Sequence, residues 1–150
     1  IMHSPASYLI FAPGMPEVLL RRYQQAHVAF SMAPLRMQAV VAQCSGIICH
    51  AGGMTDVALE SGKPLLLLPT QMEQTMTSRR VEALGAGLSL PLEGNPSTLP
   101  KLLQRLLEDS RLRAGAAEYA ANAFHTAPSM AVESVIDHCT ALLTGSRPCR

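Results

Sequence analysis

Three features of the chain predict an α/β fold, a Rossmann-like doubly wound parallel sheet with added C-terminal helices. Short apolar runs alternate with helical stretches from Tyr8 to Leu90. The run from Pro64 to Pro69, PLLLLP, is apolar throughout, which suits a strand buried on both faces. A glycine turn, Ala51-Gly52-Gly53, closes one apolar run and opens a helical stretch. Such a turn leaves helix-start N–H groups unpaired, and the helix dipole favours negative charge there. Phosphate binding is therefore the first function to consider.

The elements follow in order. Tyr8 to Ala12 is an apolar run ended by Pro13-Gly14, a strand and turn. Glu17 to Gln25 is helical, entered through Pro16, which suits a first helical turn. His27 to Ser31 is a second strand, Met37 to Cys44 a short helix and Gly46 to Cys49 a third strand. Thr55 to Ser61 is helical, and Gly62 stands where a helix ends in the left-handed region. Pro64 to Pro69 is the fourth strand, and Gln74 to Leu84 a helix ended by Gly85-Ala86-Gly87. Leu88 to Leu90 begins the last strand. Repeated alternation of this kind implies right-handed βαβ units. After the polar loop Gly94 to Pro100 come three helices without strands between them. Leu99 to Leu107 has leucines at helical spacing, Arg111 to His125 is alanine-rich, and Met130 to Leu143 follows Ser129 as N-cap. These three helices are expected to pack on the sheet edge.

A chain of 150 residues, 48% hydrophobic and 15% charged, is one domain with a buried core. Its formal net charge of +1 and lack of a basic tract exclude a broad nucleic-acid groove. Any phosphate site must then rest on local backbone geometry and a few side chains. Cys44, Cys49, Cys139 and Cys149 form no CxxC pair. They read as free thiols in a reducing compartment, with no metal site. No apolar run in these 150 residues is long enough to cross a membrane and no signal peptide is read in them, so a cytoplasmic location is expected. The first residue is Ile1 rather than Met, which suggests a piece of something longer.

The candidate site lies at the carboxyl edge of the sheet, where open α/β folds bind ligands. His50 ends the third strand and can donate an imidazole N–H to a phosphate oxygen. Gly52 and Gly53 lack side-chain bulk, so a diphosphate can approach the backbone. Thr55 adds a hydroxyl in the first helical turn. Taken alone, a histidine at a strand end can equally be structural. The turn after the fourth strand, Thr70 to Gln74, reaches the same edge. Glu73 can accept from sugar hydroxyls, and Gln74 can both donate and accept. Helix capping is an equal reading of those two residues.

Several ordered features make the pattern specific. They are Pro34, His50, Gly52, Gly62-Lys63-Pro64, Pro69, Glu73-Gln74 and Gly85-Ala86-Gly87. Over residues 28–90 this pattern resembles the nucleotide-sugar donor domain of GT-B glycosyltransferases, most closely the family-1 (UDP-glycosyltransferase-like) enzymes. The resemblance implies one half of a GT-B fold, residues 1–150 being the C-terminal donor-binding domain. It implies that His50, Gly52, Gly53, Met54 and Thr55 hold the donor diphosphate, and that Glu73 and Gln74 hold the sugar. Met32 to Leu35 would lie against the base and ribose. The chain departs from the pattern in the interval from His50 to Pro64, one residue shorter so that the phosphate turn differs in detail, and at four positions. Met32 replaces a base-stacking Trp, Leu35 a Gln, Met54 a Ser or Thr, and Val57 a ribose-binding Glu. Asp56 or Glu60 could compensate for the last.

The resemblance further implies hexosyl transfer from a UDP- or TDP-sugar to an acceptor hydroxyl, with no cofactor and no metal. The general base would belong to an N-terminal acceptor domain or partner subunit, so no catalytic residue is assigned within this chain, which alone is expected to be inactive. Three further readings stand beside this one: a donor-binding subunit of a two-chain transferase, a non-catalytic nucleotide-sugar binding module, and a nucleotide-sugar epimerase or hydrolase. His3, His27, His125 and His138 read as structural.

Overall fold

The computed structural model describes residues 6–123 and 128–144. Its strands are β1 (Tyr8–Phe11), β2 (Val28–Ser31), β3 (Ile47–Cys49), β4 (Leu65–Leu67) and β5 (Gly87–Ser89). Its helices are α1 (Glu17–Tyr23), α2 (Met37–Gln43), α3 (Met54–Glu60), α4 (Met72–Ala83), α5 (Leu99–Glu108), α6 (Ser110–Ala123) and α7 (Pro128–Thr144). A short 3-10 turn, Pro96–Thr98, leads into α5. The alternation of parallel strands and helices is the expected α/β class.

The core is built around β4. Leu65, Leu66 and Leu67 are fully buried, because side chains on a strand alternate between two faces and both faces are covered. Leu65 and Leu67 pack with Ala58, Leu59, Val81, Ala86 and Ala116. Leu66 packs on the other side with Leu88, Leu103, Leu106 and Leu112. The leucine stripe of α5 thus covers one face. α6 lies against α3, covering the other face with Ala116 while its Leu112 joins the α5 leucines on the first. Small residues permit that approach: Ala117 and Ala120 of α6 lie beside Gly62. Gly62 has φ +66°, the left-handed helix stop expected after α3.

Several sequence expectations change. α4 begins at Met72 rather than Gln74, because the Thr75 N–H donates to the Gln71 carbonyl at 3.0 Å and closes an earlier turn. α1 stops at Tyr23, and Gln25 instead forms a bridge with Val28. Ser129 lies within the first turn of α7 rather than at its N-cap. The last three helices do not share a sheet edge. α5 covers one face, α6 reaches both through Leu112 and Ala116, and among the described residues α7 makes no extensive contact with another element. Val132, Val135, Ile136, Leu142 and Leu143 remain exposed along α7 at helical spacing. His3, Cys149 and the end of the predicted Arg111–His125 helix lie outside the described residues. No helix among the described residues is long and apolar enough to cross a membrane.

Candidate functional site

β3, β4 and β5 run parallel, so their carboxyl ends share one edge. Cys49 is in register with Leu67, and the Leu68 N–H donates to the Cys49 carbonyl at 2.8 Å. That bond sets the turn after β3 beside the turn after β4. His50 and Thr70 to Gln74 are therefore gathered at one edge, as the parallel order predicts.

The His50 turn has a specific shape. Ala51 is buried and adopts φ +63°, a left-handed conformation rare for a residue with a Cβ. Such a residue costs roughly 1–3 kcal/mol and persists where its surroundings hold it. Here Ala51 sits in the core beside β4. This reversal leaves His50 exposed and brings its imidazole back over Gly52. A Cβ on Gly52 would lie 2.7 Å from His50 Nε2, so only glycine leaves the ring where it is. Gly53 is different, since a Cβ there would meet nothing within 4 Å. The N–H groups of Gly52, Gly53 and Met54 have no backbone acceptor among the described residues. The Thr55 N–H is engaged, donating to the Gly52 carbonyl at 2.8 Å. Thr55 is 2% exposed, and its hydroxyl lies 4.0 Å from Cys49 Sγ.

Cys49 belongs to this turn, a role that its apolar sequence context did not signal. Burial pushes its thiol pKa up, partly offset by the Ala51 backbone and the Thr55 hydroxyl. The thiolate is the reactive form, so Cys49 is a slow nucleophile despite its place near the edge. Cys139 is exposed. Limited iodoacetamide treatment near about pH 8 should label Cys139 at least ~10-fold faster than Cys49, read by peptide mass spectrometry. Equal rates would contradict the buried-thiol account.

Glu73 and Gln74 both lie in the first turn of α4. Glu73 is exposed. Gln74 Oε1 accepts from the Thr70 N–H at 2.8 Å and from the Thr70 hydroxyl at 3.1 Å. The two sequence readings of Gln74, capping and recognition, are thus compatible. Its carbonyl oxygen ties the turn, and its amide NH2 is left as a donor held in place. Met32 and Leu35 follow β2, at the carboxyl end of the other ladder. Met32 is 43% exposed, and Leu35 is half-buried. Among the described residues no strand pairing joins that end to the His50 turn. Asp56 and Glu60 are both exposed on α3, with Val57 half-buried between them. His27 packs edge-on against Tyr8, and His138 Nδ1 lies 3.0 Å from the Ser134 carbonyl within α7. The first contact ties β1 to the residue before β2, and the second is local to α7.

The sequence model of the family described as Erythromycin biosynthesis protein CIII-like, C-terminal domain, matches residues 28–142. The chain belongs to the EryCIII-like C-terminal domain family. This EryCIII-like domain is 34% identical over 83 residues to the 3-alpha-mycarosylerythronolide B desosaminyl transferase of Saccharopolyspora erythraea, covering 54% of this chain and 20% of that protein. It is 30% identical over 111 residues to the TDP-daunosamine transferase DnrS of Streptomyces peucetius, covering 71% of this chain and 26% of that protein. Among solved structures, the spinosyn rhamnosyltransferase SpnG complexed with spinosyn aglycone matches with a TM-score of 0.77 at 21% identity. That match covers 90% of this chain and 37% of SpnG. The EryCIII-like domain therefore has the fold of the Rossmann-like half of a GT-B glycosyltransferase, and the chain covers only 20% and 26% of these two curated relatives.

Proposed function

We propose that this domain binds a nucleoside-diphosphate sugar across the His50 and Gln74 turns, within a larger protein that transfers the sugar to an acceptor hydroxyl. One observation carries the reading: the His50 imidazole lies over Gly52 at the strand edge that Gln74 also reaches. In this reading the imidazole and the N–H groups of Gly52, Gly53 and Met54 face the diphosphate. As the glycosidic bond breaks, the leaving diphosphate gains negative charge. Fixed donors stabilise that charge most strongly in the transition state, and the reading requires no metal or cofactor. The buried Thr55 supports the turn and adds its hydroxyl only if the turn opens. Glu73 accepts from sugar hydroxyls, while the Gln74 NH2 donates to one. The base rests near Met32 and Leu35. Thymidine diphosphate is the preferred nucleotide, supported by the name of the TDP-daunosamine relative.

The acceptor hydroxyl must lose a proton as it attacks the sugar carbon. That base is assigned to an N-terminal acceptor domain or partner subunit. The isolated domain should bind the donor side without turnover.

Gln74 offers a test that separates its two jobs. Gln74→Glu keeps an oxygen for Thr70 but removes the NH2. In the full-length protein, TDP binding by calorimetry should change less than about twofold, while sugar transfer falls ~10-fold or more. Full transfer activity in this variant would remove Gln74 from the sugar site. The whole reading fails if the full-length protein neither binds nor turns over any nucleoside-diphosphate sugar.

A further inference from the structure

Gln74 can serve a sugar as a donor only if its amide is held one way round. The turn after β4 supplies that hold. Pro69 is buried, and Thr70 is the first exposed residue beyond the strand. The Thr70 N–H donates to Gln74 Oε1 at 2.8 Å, and the Thr70 hydroxyl donates to the same oxygen at 3.1 Å. A backbone N–H can only donate, so the amide atom it meets is the oxygen and not the nitrogen. A carbonyl oxygen has two lone pairs, and both are then engaged. Gln74 keeps two N–H donors and no acceptor. Turning the amide over would set its NH2 against the Thr70 N–H, donor against donor, and both bonds would be lost.

Ordinary capping does not account for this arrangement. In a capping box, the third helical residue reaches back to the N–H of the cap residue. The cap residue of α4 is Gln71, and Gln74 is the third helical residue. Its side chain passes Gln71 and takes both donors of Thr70 instead. The backbone around Gln74 is anchored separately. The Gln74 carbonyl accepts from the Ser78 hydroxyl at 2.8 Å, and Ser78 is buried. The Thr75 N–H and hydroxyl both donate to the Gln71 carbonyl, at 3.0 and 3.1 Å. A free glutamine loses much rotamer freedom when it binds a ligand. Here that freedom is already lost before a ligand arrives, which favours positioning.

We infer that Thr70 is a positioning residue for Gln74. Its N–H and hydroxyl hold the amide oxygen, so that the NH2 meets the transferred sugar as a donor only. Thr70 itself touches no substrate in this role. The sugar group at Gln74 then has to offer a lone pair. Glu73, an exposed carboxylate one residue earlier, only accepts when ionised. The two neighbours therefore read opposite polarities on the sugar. This role rests on the donor reading above.

Thr70→Val and Thr70→Ser in the full-length protein test it. Valine keeps the branched shape and the backbone N–H but sets a methyl group where the hydroxyl donates. Serine keeps the hydroxyl. In Thr70→Val the kcat of sugar transfer should fall ~5- to 10-fold, while TDP affinity by calorimetry stays within about twofold of the parent. Thr70→Ser should bring kcat back to within about twofold. The side-chain amide signals of Gln74 in NMR, assigned by their loss in Gln74→Glu, should move in Thr70→Val and hold their places in Thr70→Ser. Parent-like kcat in Thr70→Val overturns the role, and so does a serine variant as slow as the valine one. An equal fall in TDP affinity overturns it too, since the change would then reach beyond the sugar. Amide signals unmoved by valine would remove the hold itself. A parent that neither binds nor turns over any nucleoside-diphosphate sugar sinks the donor reading and this role with it. Normal binding and transfer in the parent, with Thr70→Val indifferent, sinks only the role of Thr70.

Discussion

In the full-length protein, His50→Ala should weaken TDP binding by roughly 10- to 100-fold, the size of one lost hydrogen bond to a charged group. The imidazole is exposed and held over Gly52, so its removal takes away a donor without opening the core. Gly52→Ala tests the position of the ring rather than its presence. The new Cβ would lie 2.7 Å from Nε2, and the exposed ring can swing aside at little cost to the fold. Gly52 itself does not have a positive φ, so alanine brings no backbone strain there. Binding should fall in both variants, by less in Gly52→Ala, while the melting temperature stays close to that of the parent. Calorimetry and thermal unfolding together read the result. Parent-like TDP affinity in both variants would remove the His50 turn from the donor site.

The largest effect on stability is expected at Leu66. Leu66→Ala should cost about 2–5 kcal/mol, because truncation in a covered core loses both transfer energy and packing. Leu66 is fully buried on the middle strand and faces Leu88, Leu103, Leu106 and Leu112. Those leucines come from three other elements, so the cavity cannot close by moving one side chain. Leu142→Ala provides the contrast. Leu142 is 76% exposed on α7, and its replacement should change stability by about 0.5 kcal/mol or less. Denaturant unfolding measures both. A cost below about 1 kcal/mol at Leu66 would mean that the two-faced core around β4 is wrong.

Much of the fold was legible because its signals are local. An unbroken apolar run such as Leu65 to Leu67 must be hidden on both faces, which demands helices on both sides of a sheet. The leucine spacing of α5 announced its buried face. Gly62 announced a helix stop, since glycine takes a positive φ without strain. Helix ends were less legible. The start of α4 depends on the Gln71 carbonyl finding the Thr75 N–H, and the Gln74 side chain reaching back to Thr70. No periodicity records such a choice. That the His50 turn and Gln74 share one edge was legible, because parallel strands bring their carboxyl ends together, whereas Met32 and Leu35 fall on the other ladder.

The sequence by itself determined the α/β class, the buried middle strand, the glycine turn after His50 and the family to which residues 28–142 belong. Those follow from residue type and spacing along the chain. Tertiary structure decided the left-handed Ala51, the His50 ring over Gly52, the buried Thr55 beside Cys49 and the gap between two ladders. Each depends on where atoms from separate segments come to rest against the core. Alanine at a positive φ is held by packing, not by its own preference, so nothing in its residue type foretold it.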